Sequence, residues 1–290
     1  MPYQSVFRDG TFAGEVIIVT GGGSGIGRCT AHELAALGAH VALIGRTADK
    51  LDRVRAEIAE DGGSASAHAC DIRDELAVGQ TIDAVLRLRG RLDGLVNNAG
   101  GQYRTAMKTI STKGFEAVVR NNLTGGFIFM REAYNRWMEA HGGAIVNIIA
   151  DIWNGWPDFA HSGAARGGML TLTETAACEW AASGVRVNTV APGGIASSGF
   201  DTYAPEAKAK ILEYPQTVPL QRYGTEAEVS SAIVYLLSPA AAFITGSCIR
   251  VDGGTPNARG TWKLEPSDRS RPFQGFHRAE LPELLKARGG

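Results

Sequence analysis

A glycine cluster near the start of the chain has the residue types and spacing needed to hold a phosphate. The segment 20–27 has the sequence TGGGSGIG and lies between a predicted strand and a predicted helix. Glycine has no Cβ, so the backbone can turn tightly and bring its N–H groups close to a phosphate at the helix N-terminus. Turns also favour glycine, but the strand–glycine–helix order favours a dinucleotide site. Its predicted contacts are Gly21, Ser24, Gly25, Ile26 and Gly27.

The end of the second predicted strand bears on which dinucleotide is bound. A carboxylate there would accept the ribose 2′-hydroxyl of NAD, but the chain has Gly45 and Arg46, with Arg28 just inside the first helix. Guanidinium groups suit a 2′-phosphate, although either arginine would also be ordinary on a solvated surface. We predict NADP as the cofactor, with Asp71 and Ile72 near the adenine. Asp71 is equally suited to capping a helix.

Short apolar runs alternate with helical patterns, and these elements would position the site. The runs are 16–19, 41–44, 65–69, 95–96, 145–149, 185–190 and 248–251; helices are predicted through 31–34, over 48–60 and from Asp74. Strands that are apolar on both faces and separated by helices pair in parallel, with helices on each side. Right-handed crossovers then give an α/β fold with a doubly wound parallel sheet, in a single domain.

Two terminal segments fall outside this alternation. Residues 1–14 form a short lead-in to the domain, which we predict over residues 1–254. Residues 255–290 are rich in Pro, Gly and Arg, and we predict a loosely structured tail there, with a short helix at Leu281 to Ala287.

Composition excludes several classes of function. The 290 residues carry a formal net charge of −1, which gives no electrostatic reason to expect a nucleic acid or an anionic membrane as partner. The four cysteines are scattered without a C-x-x-C pair, so we predict buried thiols and no metal site. No apolar run approaches the ~20 residues of a membrane span, and residues 1–14 lack a signal-peptide core. We therefore predict a soluble, cytoplasmic protein.

Motifs further along the chain resemble those of the short-chain dehydrogenase/reductase family. After TGGGSGIG come CDI at 70–72, NNAG at 97–100, NLTG at 122–125 and APGG at 191–194, in the family's order and spacing. The resemblance extends from about Gly14 to Gly254 and implies an extended Rossmann fold, a nicotinamide cofactor and a dimer or tetramer. Asn122 matches the family's active-site asparagine. The further cofactor contacts implied are Asn97, Asn98, Ala99 and Gly100 on the adenosine side, and Pro192, Gly193 and Ile195 beside the carboxamide.

A narrower resemblance concerns the substrate. The segments HSGAARGGM at 161–169, ACEWAASGVRVNTVAPG at 177–193, EVSSAIVYLLSPAAAFITG at 228–246 and NNAGGQY at 97–103 resemble the peroxisomal trans-2-enoyl-CoA reductases. The dienoyl-CoA reductases are more distant relatives. Both groups use NADPH to reduce carbon–carbon double bonds conjugated to a thioester. Dehydrogenases of terpene breakdown have similar sequences, so alcohol or aldehyde chemistry stays open at this point.

The chain departs from the family at the catalytic tyrosine and lysine. Where the family carries Tyr-x-x-x-Lys, this sequence has Ser162 and Arg166, and the family's serine is missing from the segment IIAD at 148–151. A serine hydroxyl has no accessible alkoxide near neutral pH, and an arginine stays protonated and cannot relay a proton. General acid–base catalysis on an alcohol is therefore poorly supplied.

Conjugate reduction requires less acid–base chemistry. Hydride goes to the β-carbon, and hydrogen-bond donors stabilise the charge that develops on the thioester oxygen. We predict Ser162 and Tyr103 as candidate donors, and Arg166 as an electrostatic and cofactor-positioning residue. The α-carbon then needs a proton from water or a nearby acid. Asp151 lies near a position with catalytic chemistry in the dienoyl-CoA reductases, although a loop or capping role suits it as well.

His161 and a set of aromatic residues have two interpretations each. His161 is next to Ser162, but a single histidine without a partner is usually structural. The aromatic side chains are suited either to an acyl pocket or to the core. They are Trp153, Trp156, Phe159, Phe200, Tyr203 and Tyr214.

Together these features predict an NADPH-dependent reductase of an enoyl thioester, with a small-molecule acyl-CoA as substrate. One alternative is an NAD(P)-dependent alcohol or aldehyde dehydrogenase in which another residue replaces the lost tyrosine. Another is a non-catalytic nucleotide-binding protein. The helical patterns at 127–138 and 167–180 carry more apolar surface than one sheet face needs, so we also predict a two-fold symmetric homotetramer.

Overall fold

Seven parallel strands form the centre of the molecule, in the order β3-β2-β1-β4-β5-β6-β7. Their ranges are β1 Val16–Thr20, β2 His40–Gly45, β3 Ser64–Ala69, β4 Gly94–Asn97, β5 Gly143–Ile148, β6 Val185–Pro192 and β7 Cys248–Val251. The structure is a computed structural model that describes residues 2–197, 200, 210–258 and 260–286. The prediction of a doubly wound parallel sheet in a single α/β domain is confirmed.

Helices follow the strands along the chain. They are α1 Gly25–Ala36, α2 Ala48–Glu60, α3 Glu75–Arg89, α4 Thr112–Val119, α5 Gly125–Ala133, α6 Glu139–His141, α7 Ala160–Glu179, α8 Glu226–Leu237 and α9 Glu283–Lys286. The last one falls within the helix predicted at 281–287, whose end at Ala287 lies outside the described residues. None of the helices in the described part of the chain combines the length and the apolar character needed to cross a membrane.

The sequence of β1 explains why helices cover both faces of the sheet. Val16 and Ile18 belong to one hydrophobic core, and Ile17 and Val19 to the other, because successive side chains of a strand point to opposite sides. All four are at most 2% exposed. Burial of each such side chain contributes ~1.5–3 kcal/mol, so neither face of this strand could be left to solvent. Helices α1, α2 and α8 contribute to one core, and α3, α5 and α7 to the other.

The carboxyl ends of the strands lie at one edge of the sheet. The strand order reverses between β1 and β4, and ligands of doubly wound sheets bind in the crevice at such a switch point. Asp74, which caps α3 by accepting a hydrogen bond from Ala77 N, ends the loop that leaves β3 at this edge. The loops at this edge and the start of α7 carry most of the predicted site residues.

The two terminal segments pack against each other and against α1. Phe276 in the tail is 1% exposed and shares a buried cluster with Tyr3 and with Cys29 of α1. Arg278 forms an ion pair of 3.0 Å with Asp61, just after α2. The prediction of a loosely structured tail is wrong for this part. It has little regular structure, yet a buried aromatic ring and ion pairs hold it on the domain.

Candidate active site

The glycine loop after β1 is shaped for a close backbone approach. Gly21 has a positive φ of 68°, which glycine adopts without strain. A Cβ at Gly27 would overlap the carbonyl oxygen of Gly21 and the side-chain amide of Asn98. Ser24 precedes α1, and its side chain makes no capping hydrogen bond. The first N–H groups of α1 and the Ser24 hydroxyl are thus available to a phosphate.

Hydrogen bonds tie the ends of β1 and β4 together beside this loop. The Thr20 hydroxyl donates to Val96 O and accepts from Asn98 N and Ala99 N, at 3.2, 3.0 and 2.9 Å. Asn98 Nδ2 donates to Thr20 O at 3.0 Å. The side chains predicted to border the cofactor therefore form a pre-organised floor to the crevice. Asn97 points elsewhere, because its buried amide binds Asn147 Oδ1 at 2.9 Å.

Arg28 is not available for a 2′-phosphate. Its guanidinium donates to Glu57 of α2 at 2.8 and 3.0 Å, and Phe276 of the tail stacks 5.1 Å from it. The side chain is 8% exposed. The structure contradicts the prediction of Arg28 as a cofactor contact, because this charge neutralises a carboxylate and fastens the tail.

Arg46 remains exposed at the end of β2, where the prediction placed it. It lies near Asp71, whose pKa is lowered to about 2 by hydrogen bonds from Arg73, with the Arg46 charge as a minor cause. Asp71 Oδ1 accepts from Arg73 N at 3.0 Å, so this carboxylate shapes the loop before α3. Ile72 is buried and packs against Gly125 at the start of α5.

The loop after β6 is held close to the end of β7. Gly193 N donates to Val251 O at 2.9 Å, and a Cβ at Gly193 would lie 2.8 Å from Asp252 Cα. Ile195 is 7% exposed and pairs with Gly224. Pro192, Gly193 and Ile195 therefore form a rigid stretch at the carboxyl edge of the sheet.

Asn122 and Arg166, which were predicted separately as site residues, are in direct contact. Asn122 lies in a π-helical turn, Arg120–Thr124, between α4 and α5; such turns often occur at functional sites. Its Oδ1 accepts from Arg166 Nη2 and from Gly101 N, each at 3.0 Å, and its Nδ2 donates to Gly101 O at 2.8 Å. A Cβ at Gly100 would lie 2.5 Å from Asn122 Oδ1. The asparagine thus fixes both the loop after β4 and the guanidinium.

Arg166 is a half-buried cation whose hydrogen-bond acceptors in the described part of the chain are neutral. Besides Asn122, Nη1 donates to Ile148 O at 2.5 Å, and the buried Nε has no partner among the described residues. Loss of hydration lowers the pKa of Arg166 to about 10, so the group stays charged at neutral pH. A cation that is partly removed from water and has no carboxylate beside it favours negative charge on a neighbouring ligand.

Ser162 is fully buried in the first turn of α7, and its hydroxyl is already engaged. Oγ donates to Gln102 Oε1 at 2.5 Å. Ser162 was predicted to donate to a carbonyl oxygen of the substrate. In the structure it donates to a carbonyl-type oxygen of the protein itself, the side-chain amide oxygen of Gln102. Gln102 was not singled out from the sequence, although it belongs to the segment NNAGGQY.

The loop that carries Gln102 is attached to the segment before α7. Tyr103 packs edge-on against His161, with ring centroids 4.7 Å apart. Arg104 binds Asp158 at 2.6 and 2.9 Å. A Cβ at Gly114 of α4 would overlap the Tyr103 hydroxyl. The structure therefore directs this hydroxyl towards α4, and Tyr103 covers His161 with its ring.

Two carboxylates lie after β5 and β7. Asp151 N binds Pro192 O at 3.1 Å, and Asp252 Oδ1 accepts from Gly254 N at 2.8 Å. Asp151 Oδ1 and Asp252 Oδ2 are buried without a hydrogen-bond partner in the described part of the chain. Burial, followed by repulsion from Asp252, raises the pKa of Asp151. Asp252 was missed, but its position directly after the last strand matches that of Asp151 and could have identified it.

A cavity of about 550 Å³ opens beside Asp252, between the loop after β6 and the segment 218–224. Among the aromatic residues weighed for an acyl pocket, Tyr214 lines it and accepts a hydrogen bond from Gly194 N at 3.0 Å. Trp153 lies 5.4 Å beneath Arg250, Trp156 pairs with Phe159, and Phe200 pairs with Tyr223. Tyr203 lies outside the described residues.

The site residues that lie outside the glycine loop form a group that we call the catalytic edge. It comprises Asn122, Asp151, His161, Ser162, Arg166 and Asp252. It offers a half-buried positive charge, donors suited to a carbonyl oxygen and the Asp151 carboxyl group, whose pKa is raised. Its described residues include no phenol–ammonium pair of the kind that oxidises alcohols in Tyr-x-x-x-Lys enzymes.

Known proteins share this combination of a glycine loop and a parallel sheet. A family model described as enoyl-(acyl carrier protein) reductase matches residues 21–256. A probable 2,4-dienoyl-CoA reductase of Bacillus subtilis is 35% identical over 83% of this chain and 96% of its own. The solved structure of the citronellol catabolism dehydrogenase AtuB of Pseudomonas aeruginosa is 56% identical, with a TM-score of 0.80 over 88% of this chain and all of that one.

A third relative bears on the cofactor. The crystal structure named for an NAD(P)-dependent gluconate 5-dehydrogenase of Beutenbergia cavernae contains NADP. It is 34% identical, with a TM-score of 0.78 over 84% of this chain and 97% of that one. The relatives thus include a probable dienoyl-CoA reductase and proteins named as dehydrogenases. With a family model matching most of its length, the chain belongs to the short-chain dehydrogenase/reductase family of NAD(P)-dependent oxidoreductases.

Proposed function

We propose that this oxidoreductase reduces the carbon–carbon double bond of a 2-enoyl thioester, such as an enoyl-CoA, with NADPH. The observation that carries the proposal is the half-buried Arg166 guanidinium, whose partners among the described residues are neutral. A conjugate reduction creates negative charge on the thioester oxygen, and a charged or hydrogen-bonding group fixed in place beforehand stabilises that charge. The described catalytic edge supplies this, whereas it has no substitute for the lysine-activated tyrosine.

Different residues stabilise the developing negative charge and supply the proton. When bound, the nicotinamide cofactor provides the hydride for the β-carbon. Arg166 stabilises the charge on the resulting enolate, and the Ser162 hydroxyl binds the thioester oxygen once Gln102 releases it. Asp151 supplies the proton, because burial and repulsion from Asp252 raise the pKa of its carboxyl group. Through a water molecule, this proton reaches the α-carbon.

NADP is the proposed cofactor because Arg46 is exposed and β2 ends without an acidic residue. The loop 21–27 and the start of α1 would hold the pyrophosphate, and Arg46 the 2′-phosphate. Asn98 to Gly100 and Pro192 to Ile195 would border the remainder of the molecule.

A second candidate function is oxidation of a terpenoid alcohol. The 56% identity to the citronellol catabolism dehydrogenase favours it. In this case Asp151 or Asp252 would have to accept the hydroxyl proton. The raised pKa of Asp151 suits that role poorly, because burial favours the protonated carboxyl group over the carboxylate that a base requires.

One assay separates the two candidates. NADPH oxidation is followed with crotonyl-CoA, trans-2-decenoyl-CoA, ketones and aldehydes, and NADP⁺ reduction is followed with citronellol. The proposal predicts turnover with enoyl-CoAs and a saturated acyl-CoA as the product. Turnover with citronellol or aldehydes alone would overturn it.

Two variants test the roles of the residues that replace the tyrosine and lysine. Ser162→Ala should lower kcat roughly 10- to 1000-fold, the range for removing one oxyanion donor. The double variant Ser162→Tyr with Arg166→Lys should not improve enoyl reduction, since a phenol would crowd a fully buried serine site. A gain of alcohol oxidation in the double variant would favour the second candidate.

We also propose a two-fold symmetric homotetramer that works in the cytoplasm. Phe127 on α5 is 38% exposed, in keeping with an apolar face that a second subunit would cover. Light scattering should return a mass well above the 30.7 kDa of one chain.

A further inference from the structure

The side chain of His161 is fully buried and incompletely hydrogen-bonded. Its exposure is 0%, and Nε2 has no hydrogen-bond partner among the described residues. Leaving a buried donor or acceptor unpaired costs ~1–3 kcal/mol. Such a group in a native fold calls for an explanation, and a bound ligand is one.

The other ring nitrogen defines what Nε2 can do. Nδ1 lies 2.8 Å from the backbone nitrogen of Ser162 and accepts its hydrogen. A neutral imidazole that accepts at Nδ1 carries its own hydrogen on Nε2. The unpartnered atom is therefore a donor, held in one tautomer by the first turn of α7.

The residues around His161 Nε2 indicate which kind of hydrogen-bond acceptor this donor would bind. The neighbouring Ser162 hydroxyl donates to the amide oxygen of Gln102, and Tyr103 from the same loop covers the His161 ring. The ion pair between Arg104 and Asp158 fastens this loop. The loop therefore covers two adjacent side-chain donors, and a carbonyl-type oxygen already occupies one of them.

We propose that His161 is a substrate-binding residue whose Nε2–H donates to the carbonyl oxygen of the substrate, as a second donor beside Ser162. This inference rests on the proposed function for the thioester nature of that carbonyl. Two donors from consecutive residues would bind the oxygen as its charge develops, while Arg166 contributes the positive charge. Gln102 then acts as a placeholder that the substrate displaces.

A structural role makes a different prediction. If Nε2–H only faces the Tyr103 ring, the contact is a weak N–H···π interaction. Replacement of His161 by phenylalanine would preserve an edge-on aromatic pair and leave turnover almost unchanged.

The kinetic experiment compares three variants on whichever carbonyl-containing substrate the wild-type enzyme turns over. His161→Phe should lower kcat ~100-fold, with the melting temperature and the Kd for NADPH unchanged. His161→Gln, which can present a donor near the Nε2 position, should recover part of the loss. His141→Phe is the matched control, because that histidine stacks on Trp137 far along the chain from α7 and should have no effect.

A spectroscopic measurement checks the contact itself. In protein labelled with ¹⁵N-histidine, the His161 signal, identified by its absence in His161→Phe, should show the Nε2–H tautomer. It should shift when NADP⁺ and butyryl-CoA are added together. A His161→Phe enzyme with kcat within twofold of wild type, or a signal that does not respond to the ligands, would overturn the assignment. Absence of enoyl-CoA turnover in the wild type would instead overturn the proposed function.

Discussion

The glycine loop 20–27 with its neighbours at the end of β4, called the nucleotide loop below, differs from the catalytic edge in how its polar side chains are hydrogen-bonded. At the nucleotide loop, the Thr20 hydroxyl and the Asn98 amide are hydrogen-bonded within the chain. Of the five buried side-chain atoms without a hydrogen-bond partner in the described residues, four belong to the catalytic edge: Asp151 Oδ1, His161 Nε2, Arg166 Nε and Asp252 Oδ2, the last of which lies 3.5 Å from Arg250 Nε. The side chains that hold the loop are thus paired within the chain, whereas the catalytic edge has side-chain groups that a ligand would complete. Substitutions should therefore affect cofactor affinity at the first site and turnover at the second.

The largest effect is expected at Arg166. Arg166→Ala should lower kcat/KM ~1000-fold, at the upper end of the range for losing one electrostatic contact to an oxyanion. Arg166→Lys should fall in between, because an ammonium keeps the charge but cannot reproduce the planar contacts to Ile148 O and Asn122 Oδ1. Steady-state kinetics with a saturating cofactor measure both. A loss of less than tenfold in kcat/KM for Arg166→Ala would contradict the contrast between the two sites, since the Arg166 charge would then have only a structural role.

Gly27→Ala should produce the next largest effect, on cofactor affinity. The added Cβ would overlap Gly21 O and the Asn98 amide, so the loop must shift away from the phosphate. We expect the Kd for NADPH to rise ~100-fold, or ~2.7 kcal/mol. Isothermal titration calorimetry measures it. Gly260→Ala is the control, because a Cβ at Gly260 meets no atom within 4 Å. Unchanged affinity in Gly27→Ala would show that this close packing is not required.

Substitutions at Arg46 and at Arg28 should separate cofactor recognition from folding stability. Arg46→Ala should weaken NADPH ~10-fold, or ~1.4 kcal/mol, and leave NADH unchanged, because only NADPH carries the 2′-phosphate. Arg28→Ala should lower the melting temperature and leave the NADPH/NADH ratio intact, because it loses the partner of Glu57. Equal weakening of both cofactors in Arg46→Ala would exclude the proposed phosphate contact.

The smallest effect is expected in the stability of Asp151→Asn. Burial raises the pKa of Asp151 in the folded chain, so the unfolded chain releases this proton first, above ~3.9. Stability is therefore lost as the pH rises from the unfolded to the folded pKa, and the loss persists above it. Asp151→Asn should raise Tm by ~2 °C at pH 7 and leave it unchanged at pH 3, while slowing turnover. A lower Tm at pH 7 would show that the carboxylate is structurally required.

The nucleotide loop was more predictable from sequence than the catalytic edge. The glycines, the strand before them and the helix after them are adjacent along the chain, so local patterns define their geometry. The exception is Arg28, whose partner Glu57 lies 29 residues away, a separation at which side-chain pairing leaves no local pattern. At the catalytic edge, Gln102 reaches Ser162 across 60 residues, and Asp252 approaches Asp151 from a different strand. Only the assembled sheet brings these groups together.

The packing of the tail on α1 has a consequence for how the chain folds during synthesis. Tyr3 and Cys29 are made long before Phe276, which closes their cluster from beyond the last strand. Closing contacts of such long sequence separation slows folding. The face of α1 that bears Cys29 and Glu33 should therefore stay open to chaperones until Phe276 has left the ribosome. Deletion of the segment around Phe276 should then reduce the yield of folded protein.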